Sequence, residues 1–187
     1  MSRLNTWELH ETAKINVREL KLTDKQFALL CQENPELRLE LTAQGELIIM
    51  PPAGSKSGWR SGRVYHALTM WADIEGSGLT FDSSAGFTLP NGAKRSPDAC
   101  WVKKEGWNAL TSDQQEAFAP LCPDFVVEVR SPSDRLSDLQ AKMEEYIENG
   151  ARLGWLIDPS EKRVYLYRPG RTVEELADPA TLSGQQV

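Results

Sequence analysis

The chain has 187 residues, of which 40% are hydrophobic and 26% charged, with a formal net charge of −6. That length supports one well-packed domain rather than two, and the composition is that of a soluble globular protein. The acidic balance gives no electrostatic footprint for strong nonspecific nucleic-acid binding, and no apolar run approaches the ~20 residues that span a bilayer.

Residues 1–22 are expected as an N-terminal arm or loose strand. They open on "MSRLNTWELHETAK", which is polar and lacks the apolar core of a secretory signal. A domain over 23–170 follows. "TDKQFALLCQEN" predicts a helix with Thr23 as N-cap, Gln26 completing a capping box, an apolar stripe of Phe27, Leu30 and Cys31, and Pro35 as its stop. "LRLELTAQGELIIMPP" predicts a hairpin, Leu37 to Leu41 and Glu46 to Met50, around Gly45. Trp59, Val64, Leu68, Trp71 and Ala72 recur near helical spacing before Gly76 and Gly78, and the tryptophans, with Trp101 and Trp155, are read as core or interface. Three short strands are expected in "LTFDSSAGFTLPNGAKRSPDACWV", divided by Gly86 and by the Pro90-Asn91-Gly92 turn.

Residues 103–121 read as a surface excursion with one small helix. The strand "FVVEV", a helix from Leu136, a stop at Gly150 and two further strands complete the domain, and 171–187 form a tail. The fold class this order predicts is α/β (α+β), a central mixed sheet flanked by helices. Cys31, Cys100 and Cys122 are odd in number, widely spaced and part of no metal-binding pattern. They are expected as reduced thiols in a cytoplasmic protein.

One residue contradicts its surroundings. Glu128 lies within the apolar strand Phe125 to Val129, and a carboxylate taken out of water needs a pairing partner or a cation. Alternation puts Phe125, Val127 and Val129 on one face, expected as core, and Asp124, Val126, Glu128 and Arg130 on the other, expected as polar. In "SPDACWV", Asp98 shares a face with Cys100 and Val102. If the two strands are neighbours, Asp98 and Glu128 converge, and two such carboxylates require a proton or a divalent cation between them. All-oxygen ligation favours Mg²⁺ or Mn²⁺. On the following helix Leu136, Leu139, Met143 and Ile147 mark the buried side, and Lys142 at its edge can send an ammonium toward the acids, where it would orient water or neutralise developing charge.

The segments "GFTLPNGAKRSPD", "RSPDACWV" and "LCPDFVVEVRSPSDRLSDLQAKMEEYIENGARLGWLIDP" closely resemble the Uma-two family of restriction-endonuclease-like proteins in the PD-(D/E)XK nuclease superfamily, over roughly residues 20–170. The resemblance implies a restriction-endonuclease-like fold and Mg²⁺-dependent (or Mn²⁺-dependent) endonuclease activity on nucleic acid, DNA in the first instance. It assigns Asp98 and Glu128, with the Val129 carbonyl, to the metal. Arg130 stands where the superfamily has lysine, and Lys142 matches a lysine moved to the helix. An accessory acid is implied, with Glu40 and Glu46 both open. The resemblance also implies a homodimer, with the excursion or the N-terminal arm as candidate contact surfaces, and no membrane partner.

Each residue also has a purely structural reading. Glu128 pairs with Arg130 or Lys142, Asp124 caps the strand entry, Tyr146 is core, Ser131 and Ser133 make a turn, Lys56, Arg60 and Arg63 are a solvated face, and the protein is a catalytically weak or inactive nuclease-fold scaffold.

Overall fold

The structure, a computed structural model, describes residues 12–184. Its strands form two sheets. In one, β1 (Ala13–Asn16), β3 (Glu46–Met50), β2 (Arg38–Leu41), β6 (Lys94–Arg95) and β5 (Phe87–Thr88) lie side by side in that order. In the other the order is β11 (Glu174–Ala177), β10 (Arg163–Tyr167), β9 (Leu153–Asp158), β8 (Phe125–Val129), β7 (Ala99–Lys103) and β4 (Gly78–Asp82). Within this six-stranded sheet only β8 and β9 run parallel. A parallel pair needs a crossover, and here it is α5 (Leu136–Glu148). This is the mixed sheet that the sequence predicts. The hairpin β2–β3 does not join it but founds the second sheet.

Helix α2 (Ser55–Glu75) covers one face of the six-stranded sheet, packing Leu68 and Ala72 on Ala99, Trp101, Phe125, Val127 and Val129. Helix α5 covers the other, where Met143 and Tyr146 meet Cys100, Val102, Val126 and Leu156. Strand β8 is therefore buried along its whole length. The parity expected for its residues holds, but the face expected to be polar lies under α5, and Glu128 is only 5% exposed. Helix α1 (Asp24–Glu33) starts at the Thr23–Gln26 capping box and seats Phe27 on Leu39, Leu41, Leu47 and Ile49. Because strand residues alternate, Glu40 points away from α1, toward α5.

Several local expectations are revised. On α2 the buried positions are Leu68 and Ala72; Trp71 is half-exposed but meets the buried Trp101 edge-on at 5.6 Å, whereas Trp59 is 67% exposed and is not a core tryptophan. The stretch 103–121 holds two short helices, α3 (Lys104–Asn108) and α4 (Ser112–Gln115). Its end is not free surface, since Phe118 meets Phe27 edge-on at 5.3 Å and Ala119 is buried beside Phe87. Of the expected arm, residues 13–16 pair with β3 and residues 1–11 lie outside the described residues. Of the expected tail, residues 174–177 extend the sheet beside β10 and 185–187 lie outside the described residues. All three cysteines are free thiols. Among the described residues no helix is long and apolar enough to cross a membrane.

Gly78 opens β4 against the indole of Trp101, which is 1% exposed; a Cβ there would come within 2.0 Å of Trp101 Nε1. Overpacking a rigid buried ring costs about 1–3 kcal/mol. Gly78→Ala is therefore expected to lower the unfolding free energy by that amount, read from the shift of the urea midpoint. An unchanged midpoint would contradict the packing described.

Candidate functional site

The two sheets and α5 meet around Lys142. The passage from β6 to β7, Ser96-Pro97-Asp98, crosses from one sheet to the other. It places Arg95 beside Glu40 and Asp98 beside β8. Lys142 Nζ donates to Glu40 Oε1 at 2.8 Å and lies 2.7 Å from Glu128 Oε1. Glu40 is held further by Ser96 N at 3.0 Å and Arg95 Nη1 at 2.9 Å. The other edge of Arg95 donates to Glu145 Oε2 at 2.6 Å. Tyr146 donates its hydroxyl to Glu128 Oε1 at 3.3 Å. Lys142, Glu145 and Tyr146, spaced i, i+3 and i+4, share one face of α5.

Asp98 joins from the strand side. The β7–β8 register pairs Ala99 with Val127, so the next position sets Asp98 opposite Glu128. Asp98 Oδ2 accepts from Val129 N at 2.8 Å. Val129 thus reaches the site by its backbone while its side chain packs under α2.

Four carboxylates (Glu40, Asp98, Glu128, Glu145) face two cations (Arg95, Lys142). The imbalance divides the acids. Burial alone would raise Glu40, but Lys142 and then Arg95 outweigh it and hold its carboxyl down at about 2. Glu128 is equally buried and shares Lys142 with Glu40 while facing Asp98, so it is pushed up to about 8. Burial also raises Asp98, partly offset by the Val129 N–H. Lys142 is raised to about 12: burial disfavours its charge, but Glu128 and Glu40 overcome that. It is a fixed cation and not a base.

Of the sequence candidates, the fold brings together Asp98, Glu128, Val129, Lys142, Tyr146 and Glu40. It leaves three aside. Arg130 turns to Asp158 at 2.6 Å. Asp124 accepts from Lys103 N at 2.9 Å and ties the far end of β7 to β8. Glu46 is bonded through its backbone to Thr42 and lines the same groove as Lys142 without joining its ion pairs. Ser131 and Ser133 make the turn closed by Asp134. Sequence reasoning missed Arg95 and Glu145. The helical spacing from Lys142 signals Glu145; nothing local signals Arg95.

On the side of Glu40, Arg95, Lys142 and Glu145 the cluster borders a groove of about 590 Å³ between the five-stranded sheet and α5, with Asp98 and Glu128 behind its lining. Among the described residues no three carboxylates, imidazoles or thiolates form a ready-made metal cage. The donor set still fits Mg²⁺, which uses one or two carboxylates and completes its shell with water and substrate phosphate. Asp98 and Glu128 are adjacent, and the excess negative charge beside them is what a cation would neutralise.

A model of the Uma2 family, described as "Putative restriction endonuclease", matches residues 24–187. The chain belongs to the Uma2 family. A solved structure from Anabaena variabilis ATCC 29413, described as "a putative nuclease belonging to DUF820", superposes with a TM-score of 0.70 at 21% identity, covering 87% of this chain and 88% of that one. At that identity the likeness establishes a shared fold. No curated protein matches the chain.

The opposed shifts fix the sign of two pH effects. Glu40, with a depressed folded pKa, contributes stability that is present above its unfolded value near 4.5 and lost as pH falls toward 2. Glu128, with a raised one, contributes stability that is present below 4.5 and lost as pH rises through about 8. Thermal melts between pH 5 and 9 should show this contribution lost in wild type from pH 5 to about 8 and level above it, with Glu128→Gln losing less. Parallel curves would contradict this. Lys142→Met takes the shared cation from Glu128 and Glu40 and is expected to cost about 3–5 kcal/mol at pH 7 in the same melts.

Proposed function

We propose that the chain is a divalent-metal-dependent endonuclease that hydrolyses phosphodiester bonds, with duplex DNA as the substrate that the family's description supports. The observation that carries this reading is the meeting of Asp98, Glu128 and Lys142, from two strands and a helix, with Lys142 reaching from the lining of a groove to the buried Glu128. Asp98 and Glu128, with the Val129 carbonyl, are the residues that would hold Mg²⁺ or Mn²⁺. When bound, such an ion supplies a Lewis acid and lowers the pKa of its water.

The remaining roles belong to the chain. Lys142 holds a positive charge against Glu128 and offers it to an oxygen on which negative charge develops. Glu40 and Arg95 fix Lys142 in place: Glu40 binds its ammonium, and Arg95 anchors Glu40 to Glu145. Tyr146 fixes the Glu128 carboxylate. These are positioning residues. A homodimer would present two such grooves to the two strands of a duplex.

The same geometry favours a second reading. The ammonium of Lys142 is shared by two carboxylates, as in a structural ion pair, and a nuclease-fold protein that binds without cutting would keep it.

Asp98→Asn separates the two. The amide oxygen can still accept from Val129 N, so the fold is retained while the metal ligand's charge is removed. The nuclease reading expects Mn²⁺-dependent cleavage of plasmid DNA by wild type and a loss of at least 100-fold in Asp98→Asn with an unchanged melting curve. Equal cleavage by both proteins, or none by wild type with Mg²⁺ or Mn²⁺, would overturn it.

A further inference from the structure

The two acids of the site differ in access. Glu128 is buried behind Lys142, whereas Asp98 is partly exposed, as are Ser96 before it and Asp134, whose charge reaches it. Beside Asp98 stands Arg38, also partly exposed. Strand geometry puts it there. Arg38 lies two residues before Glu40 on β2, so both side chains leave the same face. β2 runs antiparallel to β6 with Leu41 opposite Lys94, so following β2 back to Arg38 follows the other segment forward through Ser96 and Pro97 to Asp98. On its other flank Arg38 pairs with Met50, which lines the groove with Ser133 and Asp134. With Lys142, the charge of Arg38 favours the ionised form of Asp98.

Neighbouring cations are committed. Lys142 is shared by Glu40 and Glu128, and Arg95 by Glu40 and Glu145, while Lys94 goes to Asp24. Arg130 closes on Asp158 at 2.6 Å. Arg38, equally close to an acidic site, makes no hydrogen bond or ion pair among the described residues. A guanidinium carries five donors in a rigid fork that matches a phosphate or carboxylate. Partly burying that fork with no donor bonded to protein gives up water without a return.

We infer that Arg38 is a phosphate-binding residue of this site, holding a backbone phosphate of a nucleic acid next to Asp98. The inference rests on the phosphodiester substrate proposed above and adds the side from which that substrate arrives. It comes past Arg38 and Asp98, and not past Lys142, whose ammonium closes the groove side of Glu128. The contact positions the chain of phosphates and reads no base. It supplies locally what a net charge of −6 withholds overall, a free cation facing a polyanion.

The test is fluorescence anisotropy of a labelled DNA duplex in Ca²⁺, which takes oxygen ligands as Mg²⁺ does, over a range of salt concentrations. Arg38→Gln and Arg38→Met are expected to bind about 10–100-fold more weakly than wild type, to flatten the log–log salt dependence by about one phosphate contact, and to keep the wild-type melting curve. Arg38→Lys keeps the charge and should retain the wild-type salt slope. Neutral variants with wild-type affinity and slope would overturn the proposal. So would weakening with an unchanged slope, or loss of folding in both neutral variants, since Arg38 would then be structural. A wild type that binds the duplex through Arg38 but cuts it in neither Mg²⁺ nor Mn²⁺ would support this inference and defeat the nuclease reading. A wild type that binds no duplex would overturn both.

Discussion

The ammonium of Lys142 is the point at which three layers are joined. It bonds Glu40 of one sheet and Glu128 of the other at 2.8 and 2.7 Å from a helix packed between them. Its removal would not merely delete two contacts. It would leave Glu40 to Arg95 and Ser96 N and Glu128 to the Tyr146 hydroxyl alone, and breaking a buried pair by removing one partner costs more than the pair gains. The site is thus also the seam of the fold, and this explains the close packing of polar groups there: Ser96 N, Arg95, Tyr146 and Val129 N each satisfy an acid that would otherwise be orphaned.

The seam is satisfied in hydrogen bonds and unsatisfied in charge. Two cations do not neutralise four acids, and the strain falls on Glu128, which shares its cation with Glu40 and faces Asp98. A buried group that cannot lose its proton comfortably near neutral pH is an unusual thing to keep for stability alone. Replacing the cluster with aliphatic residues would stabilise many folds. An acid pair short of positive charge, behind a permanently charged lysine that lines a groove, is the kind of perturbed cluster that marks functional sites.

Much of this was legible in the sequence because it rests on short-range periodicities. Alternation in "FVVEV" and "SPDACWV" placed Glu128 and Asp98 on matching faces, and the 3.6-residue period of α5 brought Lys142 and Tyr146 to that side. Contacts across the layers were not legible. Glu40 and Glu46 have the same parity on their strands, and only the pairing of β2, not β3, with β6 decides which reaches Lys142. Arg95 sits on a two-residue strand too short to show a pattern. The sequence left Trp59 as core or interface, because a tryptophan on a helix looks like core unless the opposite face is known to be filled; its exposure removes the first.

The most direct measurement of the central claim is calorimetric titration of wild type with Mn²⁺ in buffers of differing ionisation enthalpy. If Glu128 is the strained acid that a cation neutralises, Mn²⁺ binds with release of close to one proton at pH 7 and little at pH 9.5, because an acid titrating at about 8 has yielded its proton by then. Absence of Mn²⁺ uptake, or uptake with the same proton release at both pH values, would contradict it.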